Sequence, residues 1–168
     1  MTDTTRQLGL AASSQKIGFA FFIGREVVDW GLAHKASKDV DAAFAQTRRW
    51  LRFYRPTRIF IEAVDGGTRK GQHSIALIHV FAAAGMDHGI SVITVQRRMH
   101  HRNKYVEAAA LAEQHPHLKP FVPKPRAFWV FEPHRMVFFE AIALVEEWYA
   151  SQGNAGAKEV DEHSQVRL

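Results

Sequence analysis

The sequence predicts an α/β fold in which a mixed five-stranded sheet is flanked by helices. Two observations lead to this prediction. Three short apolar segments separated by tight turns come first, which is typical of an antiparallel meander. Helix-length segments then alternate with two further apolar strands, which is typical of parallel strands joined by helical crossovers.

The meander is predicted near the amino terminus, with strands at Leu8–Leu10, Ile17–Ile23 and Glu26–Leu32. A polar turn separates the first two strands, and Gly24-Arg25 separates the second from the third. Because strands joined by such short turns pair antiparallel, these three segments should lie side by side.

Helices and strands alternate after the meander. The first helix is predicted where apolar residues recur at helical spacing before Pro56, namely Val40, Ala43, Phe44, Trp50, Leu51 and Tyr54. The predicted elements that follow are strand Arg58–Glu62, a helix at about 71–89, strand Ser91–Val95, and helices at 104–114 and 133–151.

Composition indicates one domain with a sizeable core, since the chain has 168 residues of which 46% are hydrophobic. We expect this domain to cover residues 1–150. Residues 151–168 should form a flexible tail, because glycines stand there among charged residues. The chain has no cysteine, no signal-peptide pattern and no apolar stretch of membrane-spanning length, so we expect a cytoplasmic protein.

Positive charge is concentrated in the segment Arg97–Lys104, which holds four fixed cations and two histidines. We call this segment the basic run. It follows the strand that ends at Val95, and ligands gather beyond the carboxyl ends of parallel strands. Together with the formal net charge of +5, it predicts phosphate contacts from Arg69, Lys70, Arg97, Arg98, His100, His101, Arg102 and Lys104.

Three motifs occur in order along residues 7–150. They are Leu8-Gly9-Leu10-Ala11-Ala12-Ser13-Ser14, Ile61-Glu62 and Phe139-Glu140-Ala141-Ile142-Ala143-Leu144. This pattern resembles the RuvC-type Holliday-junction resolvases of the RNase H-like superfamily, especially their phage and prophage branch. The resemblance implies a homodimeric, structure-selective endonuclease of DNA recombination that cuts branched DNA with Mg²⁺ or Mn²⁺.

The same resemblance assigns Glu62 and Glu140 as catalytic metal ligands. Such enzymes hold two ions roughly 4 Å apart between hard carboxylate oxygens. Ala11, however, stands where the family has its first metal-binding Asp, and Val137 stands where many members have a further acid. Metal binding should therefore be weakened or lost. His134 is either a substitute ligand or proton carrier, or a solvent-facing histidine.

Two functions remain open from the sequence. The chain is either a resolvase seen without its first ligand, with Ala11 natural or engineered, or a naturally non-catalytic module that binds branched DNA. A third, ATP binding by the loop at residues 64–68, fails because actin-like ATPases need two subdomains. We expect the dimer to use apolar surface from the helix at Ile75–Met86 or from the segment Phe128–Phe131.

Overall fold

The computed structural model describes residues 2–13, 16–65, 70–125 and 133–164, with side chains described as far as Gly153. The strands are β1 (Arg6–Ser13), β2 (Lys16–Ile23), β3 (Glu26–Ala33), β4 (Arg58–Glu62) and β5 (Ser91–Val95). The α-helices are α1 (Val40–Tyr54), α2 (Gln72–Asp87), α3 (Lys104–Gln114) and α4 (Met136–Ser164). Short 3-10 helices lie at Lys35–Ser37 and Pro116–Phe121.

The five strands form one mixed sheet in the order β3-β2-β1-β4-β5. The first three strands pair antiparallel, whereas β1 with β4 and β4 with β5 pair parallel. The predicted meander and the two added parallel strands are thus confirmed. Because β1 is central and parallel to β4, the carboxyl ends of these two strands lie at the same edge of the sheet.

Two hydrophobic cores lie on opposite faces of the sheet. Alternation along β1 sends Leu8 and Leu10 into the core that contains α1 and α2, and sends Ala11 into the core that contains α4. The predicted arrangement of helices on both faces is therefore correct. Position 11 faces the same helix that carries Glu140.

Helix α4 lies directly on the backbones of β1 and β2. A Cβ atom added at Gly9 would overlap the carbonyl oxygen of Ala141, and one added at Gly18 would lie 2.8 Å from Val137 Cγ1. Real Cβ atoms do not approach other atoms so closely, so both positions need glycine for space. This contact fixes the position of α4 over the sheet.

Two elements, β1 and α4, extend well beyond their predicted bounds. Strand β1 extends from Arg6 to Ser13. Its polar residue Gln7 can lie buried within the sheet because its side-chain amide donates hydrogen bonds to the Gly24 carbonyl at 2.6 Å and to the Tyr149 hydroxyl at 2.7 Å. The predicted end of the last helix at Ser151 is wrong, because α4 continues to Ser164. Glycine within a helix costs only about 1 kcal/mol relative to alanine and need not end it. The division into a domain and a flexible tail stays a prediction.

Two predicted features, Arg69 and Phe128–Phe131, lie outside the described residues. Among the helices of the described part, none is long and apolar enough to cross a membrane.

The contact of α4 with β1 predicts that Gly9→Ala destabilises the protein by about 1–3 kcal/mol, because the added methyl group forces the helix away from the strand. Gly153→Ala is the matched control. Its added Cβ meets no atom within 4 Å, so this variant should keep or slightly raise the stability. Urea unfolding measures both, and equal midpoints would contradict the contact.

Candidate functional site

The two carboxylates predicted at the site meet in one small cavity. Glu62 ends β4 and Glu140 lies in the second turn of α4. The cavity has a volume of about 10 Å³ and is lined by Ala11, Ala12, Glu62, Lys70, Ile78, Arg97, Glu140 and Leu144. The structure therefore brings positions 11, 62 and 140 together, although their chemical roles stay predictions.

Lys70 lies between the two carboxylates. Its Nζ is 3.6 Å from Glu62 Oε2 and 3.7 Å from Glu140 Oε2, and it donates a hydrogen bond of 2.8 Å to the carbonyl oxygen of Ala12. A second ammonium group, Lys104 Nζ, lies 2.5 Å from Glu140 Oε1. Both lysines were predicted to contact phosphate; in this structure they contact the carboxylates.

Arg97 also turns towards the protein interior. Its guanidinium donates to both carboxylate oxygens of Glu107, with Nη1 2.9 Å from Oε2 and Nη2 2.5 Å from Oε1. Burial alone lowers the pKa of Arg97, but the hydrogen bonds and charge of Glu107, followed by the charges of Glu140 and Glu62, raise it above its ordinary value. Arg97 thus stays charged, and its partner is inside the protein.

The two positions at which the resemblance predicted acids are apolar and buried. Ala11 is 5% exposed, Val137 is 2% exposed, and both belong to the core beneath α4. They are connected through Gly18, which pairs with Ala11 in the β1–β2 ladder and leaves room for the Val137 side chain. A carboxylate at position 137 would be buried in the hydrocarbon core, and one at position 11 would be buried beside Glu62 and Glu140, so either would need an accompanying cation.

These residues do not fit a two-metal centre. The cavity has room for about one water molecule, whereas two ions roughly 4 Å apart need more space and more oxygen ligands. No group of three or more His, Asp or Glu side chains that could hold a metal occurs in the described part of the chain. In the cavity, the atom Glu62 Oε2 is buried without a hydrogen-bond partner. The cation 3.6 Å from it is Lys70.

The remainder of the basic run faces solvent. Arg98, His101 and Arg102 are exposed. His100 is exposed as well, with Nε2 2.8 Å from Glu147 Oε2. The run borders a larger cleft of about 280 Å³, lined by Arg25, Arg97, His100, His101, Glu107, Leu111, Gln114, Ala143, Glu146, Glu147, Tyr149 and Ala150. Its exposed cations stay candidates for phosphate contacts.

The acidic partners of the basic run were missed at the level of sequence. Glu147 lies two helical turns after Glu140 in α4, and this seven-residue spacing places both on one face of the helix. That spacing was the available signal. Nothing local indicated Glu107, because its pairing with Arg97 depends on how α3 follows the loop after β5.

His134 is not part of the cavity. It lies before the first turn of α4, is exposed, and its ring centroid is 4.9 Å from that of His34. Of the two interpretations of His134, the structure supports the solvent-facing histidine. It precedes the start of α4 by two residues and is not among the residues that line the cavity with Glu140.

No protein-family model matches the sequence, and no curated protein matches it. Solved structures do match. Thermus thermophilus RuvC in complex with a Holliday junction substrate has a TM-score of 0.54 and 13% identity over 89% of this chain and 96% of that one. The chain has a RuvC-type, RNase H-like fold.

Two further structures agree with this assignment of the fold. A second Thermus thermophilus RuvC structure has a TM-score of 0.54 at 14% identity, and covers 89% of this chain and 97% of the other. The yeast mitochondrial Holliday junction resolvase Ydc2 has a TM-score of 0.52 at 12% identity, and the match covers 88% of this chain and 80% of that one. The predicted fold is confirmed, whereas the phage branch stays a prediction.

The inward pairing of Arg97 predicts that Arg97→Met destabilises the protein by about 3 kcal/mol, because Glu107 is left charged and buried without its partner. The double variant Arg97→Met/Glu107→Leu removes both charges and should recover most of that loss. Thermal and urea unfolding measure the three proteins. An equal loss in the single and double variants would contradict the pairing.

Proposed function

We propose that this protein binds branched DNA as a homodimer, and that the form with Ala11 binds without cutting. The observation that supports it is the meeting of Glu62 and Glu140 beside the basic run on a RuvC-type fold. The basic run supplies cations at the sheet edge where ligands bind in such folds. One protein with the same fold, Thermus thermophilus RuvC, is known in complex with a Holliday junction substrate.

The exposed cations of the basic run are the proposed phosphate ligands. Arg98 and Arg102 are exposed, and neither is among the residues paired with the central carboxylates. Arginine binds phosphate through a planar fork of N–H donors, so both suit a DNA backbone. Arg97, held by Glu107, contributes to the shape of the site rather than to its exposed charge.

Two observations favour the non-catalytic module over a resolvase that lacks a single ligand. The positions at which related enzymes are expected to carry acids hold Ala11 and Val137, and both side chains are packed in one core. In addition, lysine ammonium groups already balance the two remaining carboxylates. An aspartate restored at position 11 would leave the apolar Val137 and the cation Lys70 in place. Mg²⁺ or Mn²⁺ would therefore find few oxygen ligands at this site.

We predict tighter binding to a four-way junction than to a linear duplex of the same sequence, with no cleavage products in Mg²⁺ or Mn²⁺. Fluorescence anisotropy across a salt series measures the binding. The slope of the logarithm of affinity against the logarithm of salt concentration should be about two units shallower in the variant Arg98→Ala/Arg102→Ala, since each arginine neutralises one phosphate.

The matched control for that variant is Arg49→Ala/Arg52→Ala, which removes two exposed arginines from α1 on the other face of the sheet. Its salt slope should equal that of the unchanged protein. Equal slopes in all three proteins would exclude the basic run from the interface. Specific cleavage of the junction would establish the resolvase alternative instead.

Helix α2 offers the proposed dimer surface. Its inward residues pack against the sheet and α1, while Met86 is 72% exposed and the same side of the helix carries half-buried or exposed residues, three of them alanines. These outward residues are Ile75, Ala76, His79, Ala82 and Ala83. Small side chains let a second helix approach closely, and a twofold axis there would present two matching sites to a junction.

Light scattering should therefore give about twice the chain mass of 19.1 kDa in the absence of DNA. Met86→Glu places a charge on the proposed surface and should shift the protein towards the monomer. Phe53→Glu, which changes an equally exposed apolar residue on α1, is the control and should leave the dimer intact. A monomeric unchanged protein would contradict this surface.

A further inference from the structure

We infer that Lys70 and Lys104 take the place of divalent ions as counter-charges of Glu62 and Glu140, so that a DNA phosphate can lie at the edge of this centre without metal. The inference rests on the proposed function for its DNA ligand. Its structural part, a carboxylate pair neutralised by lysines, can be tested on the protein alone. Two observations support it, the balance of charge and the position of Lys70.

The charges at the centre cancel without an ion. Glu62 and Glu140 carry two negative charges, and Lys70 and Lys104 carry two positive charges. Arg97 and Glu107 form a further neutral pair beside them. A centre with acids at positions 11 and 137 would carry two more negative charges and would repel a phosphate unless cations were added. In this chain both positions are apolar, so that need is removed.

The position of Lys70 is set by three groups. Its Nζ is almost equally far from the two carboxylates, at 3.6 and 3.7 Å, and the carbonyl oxygen of Ala12 accepts one of its protons. The ammonium group thus lies between the acids, next to the strand position where the family's first Asp is missing. About 10 Å³ of open space remains in the cavity, which leaves no room for two ions beside Lys70.

Lys104 connects this centre to the surface where DNA would lie. Its side chain is 40% exposed while its Nζ contacts Glu140 Oε1, and it is both the last residue of the basic run and the first residue of α3. A phosphate that approaches the exposed cations of the run can share Lys104 with Glu140. The DNA backbone then contacts a neutral centre with cations at its rim, and no bridging metal is required.

The protein alone provides the first test. Thermal unfolding is compared for the unchanged chain, Lys70→Met and Lys38→Met, each in EDTA, in millimolar Mg²⁺ and in millimolar Mn²⁺. The unchanged protein should show one melting temperature in all three buffers. Lys70→Met should melt lower in EDTA by about 5 °C, because the buried Glu140 and the half-buried Glu62 lose a shared cation. Mn²⁺ should restore most of that shift by entering the vacated space.

Lys38→Met removes an exposed lysine that is not among the ion-pair partners of Glu62 and Glu140, and should behave as the unchanged protein in every buffer. The inference is overturned if Mn²⁺ stabilises the unchanged protein as much as Lys70→Met, since lysine would then not be replacing the metal. Should Lys70→Met not fold, calorimetric titration of the unchanged protein with Mn²⁺ decides the question. Absence of binding at millimolar Mn²⁺ supports the inference, and micromolar affinity overturns it.

A second experiment measures the affinity of the protein for a fluorescent four-way junction in EDTA and in Mg²⁺, at matched ionic strength. Affinities should agree within about twofold, because the cations that contact phosphate belong to the protein. Binding that requires Mg²⁺ would overturn the inference while supporting the proposed function. Absence of junction binding in both buffers would contradict the proposed function, and the unfolding experiment would still decide the role of Lys70.

Discussion

The direct contact of α4 with the backbones of β1 and β2 determines where the site lies. Glycines at positions 9 and 18 let the helix approach so closely that a side chain at either position would collide with it. The contact sets Glu140 beside the carboxyl end of β1, and parallel pairing sets Glu62 at the end of the adjacent strand. Two acids distant in sequence therefore face one small cavity.

Placing carboxylates in that cavity requires cations, because a buried charge without a partner is strongly destabilising. Lys70 and Lys104 meet this need for the central pair, and Arg97 meets it for Glu107. The basic residues near the sheet edge consequently divide into two groups. Those turned inward neutralise the acids, while those left exposed are available to a polyanion. The fold does not by itself fix the chemistry of this site, which depends on the side chains at its centre.

The sequence by itself determined the order and type of the elements. Apolar residues alternated in the strands and recurred at helical spacing in the helices, and these patterns depend only on near neighbours in the chain. The order of the motifs, through the resemblance to RuvC-type resolvases, also pointed to positions 11, 62 and 140, which line one cavity in the structure. Strand polarity alone predicted that the basic run lies at the edge of the sheet formed by the carboxyl ends of the parallel strands.

Only the tertiary structure decided which charges meet. Lys70 and Glu140 are seventy positions apart, and their approach depends on the packing of α4 on the sheet and the path of the chain after β4. The same holds for the inward turn of Arg97 and the outward position of His134. A lysine that binds phosphate and one that neutralises a carboxylate have the same local pattern in sequence. They differ in burial and partners, which arise from contacts between distant segments.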